Sequence, residues 1–313
     1  MASLRVGIAQ LRPVALDAAA TVERVIAAIG DAAQRGVRFL AFPETFVPVY
    51  PLWCDGPDFG RFDHPPAAQL HGALIDQSIE VPSPLISRVL TAAADHRVAV
   101  ALGFNERVGR TLYNAFVQID SKGQVVAHRR KLVPTHGERL VWKPGDAHDL
   151  SASDVDGVRA GGLICWEHWM PAARQALHDS GEQLHVAFWP SLRDMYHVAS
   201  RHYAFEGRCF VLAAGMILKP EDLPDVAALG REMPTTETGF LLDGGSAIIG
   251  PDGAFVVGPV RDREELLVAD LDLSALDAAA FPLDVSGHYA RPDLFNLRVD
   301  RKRPPEQPTE DTP

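Results

Sequence analysis

Three short stretches of the 313-residue chain carry side chains able to run nucleophilic chemistry. Cys165 closes the apolar run Val158–Ile164, and Trp166-Glu167-His168-Trp169-Met170 leads from it to Pro171 and a helix pattern through Leu177. A thiol between a buried strand and a helix start meets unpaired backbone N–H groups and the positive end of a helix dipole. Both favour the thiolate, the nucleophilic form. Glu44 follows Phe42-Pro43 at the end of another apolar strand, where a carboxylate whose surroundings raise its pKa can take a thiol proton. Lys131 ends Arg129-Arg130-Lys131 beside Leu132 and Val133, and Glu138 follows seven positions on. Lys131 and the backbone N–H of Trp166 can supply the positive charge that a tetrahedral acyl intermediate requires. Glu138 can hold the Lys131 ammonium or tune Glu44 by like-charge coupling. Taken singly, each has a plainer role: Cys165 as small core, Glu44 as a loop cap, Lys131 as a surface charge. Spacing alone does not bring them together.

The elements that must position these groups follow from hydrophobic periodicity. Residues 4–11 read as a strand. Asp17 caps a helix in which Val22, Val25, Ile26, Ile29 and Ala33 recur at helical spacing, and Gly36 ends it. A strand over 37–42 stops at Pro43, and a helix over 84–95 precedes a strand over 98–103. The pattern then changes to hairpins, one over 112–127 turning at Asp120-Ser121-Lys122-Gly123 and one over 246–257 turning at Pro251-Asp252-Gly253. Between them come Cys165, a strand over 185–189 and a helix over 197–208. Strand–helix–strand units mixed with hairpins predict an α/β fold of mixed sheets with helices outside. No linker divides the chain, so residues 1–300 are expected to form a single domain. The Pro-rich, charged residues 301–313 are expected to be a disordered tail.

Composition narrows the partners. A formal net charge of −11 argues against nucleic acid or an anionic membrane. No apolar run is long enough to span a bilayer, the first residues carry no signal-peptide core, and three cysteines without scaffold spacing suit a reducing cytoplasm. Twelve histidines are scattered without ligand spacing, so no metal site is expected.

The three stretches, taken in order, resemble the nitrilase superfamily of carbon–nitrogen hydrolases. Its pattern of a glutamate in Phe-Pro-Glu, a lysine in Arg-Arg-Lys-Leu-x-Pro-Thr and a cysteine before Trp-Glu falls on Glu44, Lys131 and Cys165. The glutamate of Thr-His-x-Glu-Arg falls on Glu138. Further likeness extends from Val6 to about Phe295, through Thr111-Leu112-Tyr113-Asn114, Gly244-Gly245-Ser246 and His288-Tyr289-Ala290-Arg291. The Trp-Glu pair points to the nitrilase branch, and His168 stands where many members have Asn. The resemblance implies a four-layer α-β-β-α sandwich and a cofactor-free hydrolysis of a small organic nitrile to a carboxylic acid and ammonia, through a covalent thioimidate and thioester on Cys165. An amidase, an N-carbamoyl amidohydrolase or a cyanide-degrading enzyme would use the same residues, and an idle member would serve as a binding module. Tyr50, Trp53, Trp166, Trp189 and His136 are the candidate substrate contacts, with the aromatics able to receive an aryl or arylalkyl group. The resemblance also implies self-association through the helices at 171–177 and 197–208, into dimers able to stack into spirals.

Overall fold

The computed structural model describes residues 3–303. Ten of the thirteen residues expected to form the tail, 304–313, lie outside the described residues. Of the other three, Arg301 donates to the Leu150 carbonyl and Arg303 to the His128 carbonyl.

Among the described residues, thirteen strands and seven helices follow one another along the chain. In order they are β1 (Leu4–Gln10), α1 (Ala18–Gln34), β2 (Phe39–Ala41), α2 (Pro65–Asp76), α3 (Pro84–His96), β3 (Ala99–Val108), β4 (Thr111–Ile119), β5 (Val125–Arg130), β6 (Ser153–Val155) and β7 (Val158–Ile164). Then follow α4 (Pro171–His178), β8 (Leu184–Phe188), α5 (Asp194–Gly207), β9 (Phe210–Ala214), β10 (Ile217–Leu218), α6 (Ala228–Arg231), β11 (Leu242–Ile249), β12 (Phe255–Arg261), β13 (Glu265–Leu271) and α7 (Ala275–Ala279).

Two mixed sheets result. One has the order β13-β1-β2-β3-β4-β5; the other runs β10-β11-β9-β8-β7-β6, with β12 paired to β11. Within the first, β1, β2 and β3 are parallel, whereas β4, β5 and β13 run antiparallel to their neighbours. Alternation along the strands sorts side chains into two cores. Val6, Ile8, Phe39, Ala41, Ala99, Ala101 and Phe116 face the second sheet, where Ile164, Val186, Phe188 and Leu212 meet them. Leu40, Val98, Val100, Leu102 and Val117 face the other way, onto Val22, Val25 and Ile29 of α1 and Ile86 and Val89 of α3. On the outer face of the second sheet, α4 contributes Ala173 and Leu177, and α5 contributes Ala199 and Tyr203. The architecture is thus a four-layer α-β-β-α sandwich.

Local chemistry explains the element ends. The Asp17 carboxylate accepts from Ala20 N, and Gly36 leaves α1 at φ +75°. Ser83 caps α3 ahead of Pro84. Pro43 has no N–H for the ladder, so the β2 path ends and the chain turns inward at Glu44. Three features exceed the periodicity reading: β3 runs on to Val108 and forms a tight hairpin with β4, α2 is a helix, and β13 returns to pair with β1 along its whole length.

Candidate active site

The ends of β2, β5 and β7, with a short helix after β5, bring four side chains together. Glu44 follows β2, Lys131 follows β5, Glu138 lies on the short 3-10 helix His136–Leu140, and Cys165 follows β7. Lys131 Nζ is 2.6 Å from Glu138 Oε2 and 3.1 Å from Glu44 Oε1. Cys165 Sγ and a carboxylate oxygen of each glutamate all lie within 4.8 Å of one another. All four are buried. Their remaining polar atoms are held. Asn114 of β4 donates to Glu44 Oε1 at 2.6 Å, the Tyr50 hydroxyl donates to Glu138 Oε1 at 2.8 Å, and Thr135 N donates to Glu138 Oε2 at 2.7 Å. Glu44 Oε2 alone has no partner among the described residues. It is a free acceptor on the oxygen not engaged by lysine and asparagine.

The turn that presents the thiol is built by residues whose function the sequence did not disclose. Cys165 sits at φ +53°, a left-handed conformation that costs an L-residue about 1–2 kcal/mol. Glu167 holds this turn: its carboxylate accepts from Ile164 N at 2.7 Å and from Leu132 N at 2.6 Å, and it pairs with Arg129 at 2.5 and 2.7 Å. Arg129 is wholly buried, so this pair fastens the nucleophile's turn to the strand end that carries Lys131. Its signal in the sequence is a second basic residue, Arg129, two positions before Lys131. Gly103 of β3 serves the other half of the site. A β-carbon there would lie 2.2 Å from the Pro43 carbonyl oxygen and 2.8 Å from Thr45 N, so only glycine lets the Glu44 segment cross β3 this closely.

Burial dominates the electrostatics. It lifts Glu44 to about 7, with Glu138 adding to the rise while Lys131 and Asn114 oppose it. Burial would lower the Lys131 ammonium, but Cys165, Glu44 and Glu138 together hold it well above its ordinary value. The thiol departs from the sequence expectation. Burial and the two glutamates push Cys165 well above the usual thiol range, against Lys131 and the Trp166 N–H. The helix dipole does not rescue it, because a 3-10 turn, Cys165–Trp169, intervenes before α4. The resting sulfur is therefore a thiol that must be deprotonated by its neighbour as it attacks, and Glu44 is poised for that transfer.

The candidate substrate contacts scatter more widely. Tyr50 belongs to the cluster through Glu138 and packs on Trp142. Trp166 is half exposed beside the nucleophile. Trp189 is buried, its ring stacked between His168 and Tyr196, while its carbonyl accepts from Glu44 N. Trp53 is buried with its indole N–H unpartnered among the described residues. The His136 ring is exposed and faces Asp55. A cleft of about 620 Å³ is lined by Phe59, Phe62, His64, His71 and Leu140, and none of the four clustered side chains lines it.

Known proteins share this arrangement's sequence and fold. The profile of the carbon-nitrogen hydrolase family matches residues 5–281. An aliphatic nitrilase of Rhodococcus rhodochrous is 37% identical over 314 residues, covering 96% of this chain and 83% of that protein. A nitrilase of Pseudomonas syringae pv. syringae is 37% identical over 308 residues, covering 94% and 89%. In three dimensions, a carbon-nitrogen hydrolase from Helicobacter pylori G27 matches 94% of this chain and 97% of its own with a TM-score of 0.69, at 16% identity, which is a likeness of fold.

Proposed function

The chain belongs to the carbon–nitrogen hydrolase family, and from that premise we propose that it is a nitrilase, converting an organic nitrile and two waters to a carboxylic acid and ammonia. The single observation that carries the chemistry is the meeting of a thiol, two carboxylates and an ammonium in one buried cluster.

Glu44, through its unpartnered oxygen, takes the Cys165 proton as the sulfur adds to the nitrile carbon. That proton passes to the nitrile nitrogen and a thioimidate results. Glu44 then removes a proton from the first water as it adds to the thioimidate carbon. Glu44 passes that proton to the nitrogen, Lys131 and the Trp166 N–H stabilise the tetrahedral species, and as the hydroxyl proton follows to the nitrogen the C–N bond breaks, ammonia leaves and a thioester remains. A second water, activated the same way, releases the acid and returns the thiol. Glu138 keeps the ammonium in place and, by repulsion, keeps Glu44 basic enough for these transfers. No step calls for a cofactor.

Residues 1–300 act as one hydrolase domain, because the reacting groups come from both sheets. Dimerisation through α4 and α5 is supported by the outer face of α5, where Met195, Val198 and Phe205 are exposed in helical register near exposed Trp169. A monomer in sedimentation at micromolar concentration would rule it out. Three free buried cysteines suit a reducing cytoplasm, and no described helix is long and apolar enough to cross a membrane.

The decisive experiment is a panel of aryl, arylalkyl, aliphatic and dinitriles plus cyanide, with acid, amide and ammonia all quantified. Ammonia and acid from at least one organic nitrile, faster than from its amide, is expected. Turnover of amides alone would make the chain an amidase instead.

A further inference from the structure

Beneath the nucleophile runs a second line of polar side chains that the reaction above does not use. His168 Nδ1 lies 2.7 Å from the Cys165 carbonyl oxygen, and His168 Nε2 lies 3.0 Å from His185 Nε2. His185 Nδ1 is 2.8 Å from Glu182 Oε1, and the Tyr203 hydroxyl is 2.5 Å from Glu182 Oε2. All four side chains are buried. Room for the carboxyl is left by Gly161 of β7, where a β-carbon would lie 2.2 Å from Glu182 Oε1.

This line has one self-consistent direction. A carbonyl only accepts, so His168 Nδ1 carries a proton and donates it to Cys165. A neutral imidazole has a single N–H, so His168 Nε2 accepts, and the donor is His185 Nε2–H. His185 Nδ1 is then an acceptor, and only an un-ionised Glu182 can donate to it while its other oxygen accepts from Tyr203. With Glu182 ionised, its oxygen accepts from His185 Nδ1–H, both rings change tautomer, and His168 turns a lone pair on the Cys165 carbonyl. A charged ring would avoid this, but burial and the neighbouring His185 lower His168 to about 3, and burial, His178 and Arg129 hold His185 well below its ordinary value.

The end of the line matters because the Cys165 carbonyl and the Trp166 N–H belong to one planar peptide, and that N–H serves the sulfur. Glu182 is faced by His185 of β8, His178 of α4, Tyr203 of α5 and Cys209; Glu206 of α5 acts on Tyr203 and Cys209, and Arg129 and Glu167 act on His185. Burial lifts Glu182 to about 7, against the Tyr203 hydroxyl and His178.

We propose that un-ionised Glu182 is a positioning residue for catalysis: through His185 and His168 it fixes the Cys165–Trp166 peptide, and its ionisation releases that peptide and slows turnover on the alkaline side. The proposal rests on Cys165 being the nucleophile of the reaction above.

The test measures kcat and KM across pH for wild type, Glu182→Gln and His168→Asn. The glutamine amide donates to His185 and accepts from Tyr203 at every pH, and the asparagine amide donates to Cys165 independently of residue 182. Wild-type kcat is expected to fall by up to about tenfold per pH unit above the Glu182 titration, with KM steady. Both variants are expected to turn over on the acid side and to lose that decline. A decline that persists unchanged in both, or a uniform loss of rate at all pH, overturns the proposal. Infrared difference spectra read the proton without turnover. A buried carboxylic-acid band that vanishes on raising the pH is expected in wild type and, in that component, missing from Glu182→Gln. A wild type that hydrolyses nitriles without that band refutes this inference alone, whereas the band without nitrile turnover refutes the proposed reaction. Should Glu182→Gln fail to fold, His168→Asn and the wild-type band decide.

Discussion

Replacing Lys131 by methionine, similar in length and unable to carry charge, removes two contacts from a site closed to solvent: 2.6 Å to Glu138 and 3.1 Å to Glu44. Two losses follow. A donor aimed at developing negative charge is worth about 3–4 kcal/mol of barrier, or roughly 10²–10³ in rate. In addition, the ammonium is the group that opposes the mutual repulsion of Glu44 and Glu138, so without it the pair binds a proton and the general base is lost at neutral pH. The combined deficit is expected to exceed about 10³ at pH 7 and to narrow, relative to wild type at each pH, by up to about tenfold per unit as the pH rises. Breaking a buried pair commonly costs about 3–5 kcal/mol of stability. Proton uptake offsets part of this at low pH, so the variant loses stability as the pH rises. Ammonia release, thioester burst amplitude and urea titrations at two pH values read all three effects. A folded variant with a tenth of the wild-type rate, or a deficit identical at all pH, would show that Lys131 neither stabilises the intermediate nor governs the base.

Asn114→Leu removes the amide that helps keep Glu44 ionised, so the acid limb of kcat, set near 7 in the wild type, should move to higher pH with KM little changed; an unmoved limb contradicts the geometry. Because Glu44 is raised on folding from 4.5 to about 7, its contribution to stability is fully present below pH 4.5 and lost as the pH rises through 7. Glu44→Gln should flatten the fall of unfolding free energy across that window. Arg129→Met strands the buried Glu167 carboxylate and should cost about 3–5 kcal/mol in urea unfolding, partly restored by adding Glu167→Gln; a loss below about 1 kcal/mol would mean that the pair does not brace the turn. Gly103→Ala forces a β-carbon against the Pro43 carbonyl, so kcat should fall at least tenfold or the chain should fail to fold, and full activity would refute the close crossing.

What was legible in the chain was what local chemistry dictates. Pro43 marks a strand end, and Asp17 and Gly36 mark a helix, because each acts on its immediate neighbours. The placement of Glu44, Lys131 and Cys165 at strand ends was readable for the same reason. The pairing of β1 with β13 was not, since it joins segments some 260 positions apart and leaves no local signature. The β3–β4 hairpin was hidden because Asn105, Glu106 and Asn114, polar residues inside strands, break the apolar alternation, yet all three are buried and Asn114 holds Glu44. The thiol was misjudged from a local rule: a helix start favours thiolate, but desolvation and two adjacent carboxylates outweigh it, and both arise from parts of the chain distant in sequence. Glu167 and Arg129 escaped notice because a buried ion pair looks like two surface charges until both partners are placed.

One sheet supplies the acid–base groups and the other supplies the sulfur, so the first half of a nascent chain emerging from the ribosome is chemically inert, and so is any molecule whose halves have parted. Reactivity is switched on by docking, not by the formation of any single element. An unfolding intermediate would keep a cysteine of ordinary thiol reactivity, freed from burial and from the two carboxylates, but would lose the base and the ammonium that let it turn over a nitrile.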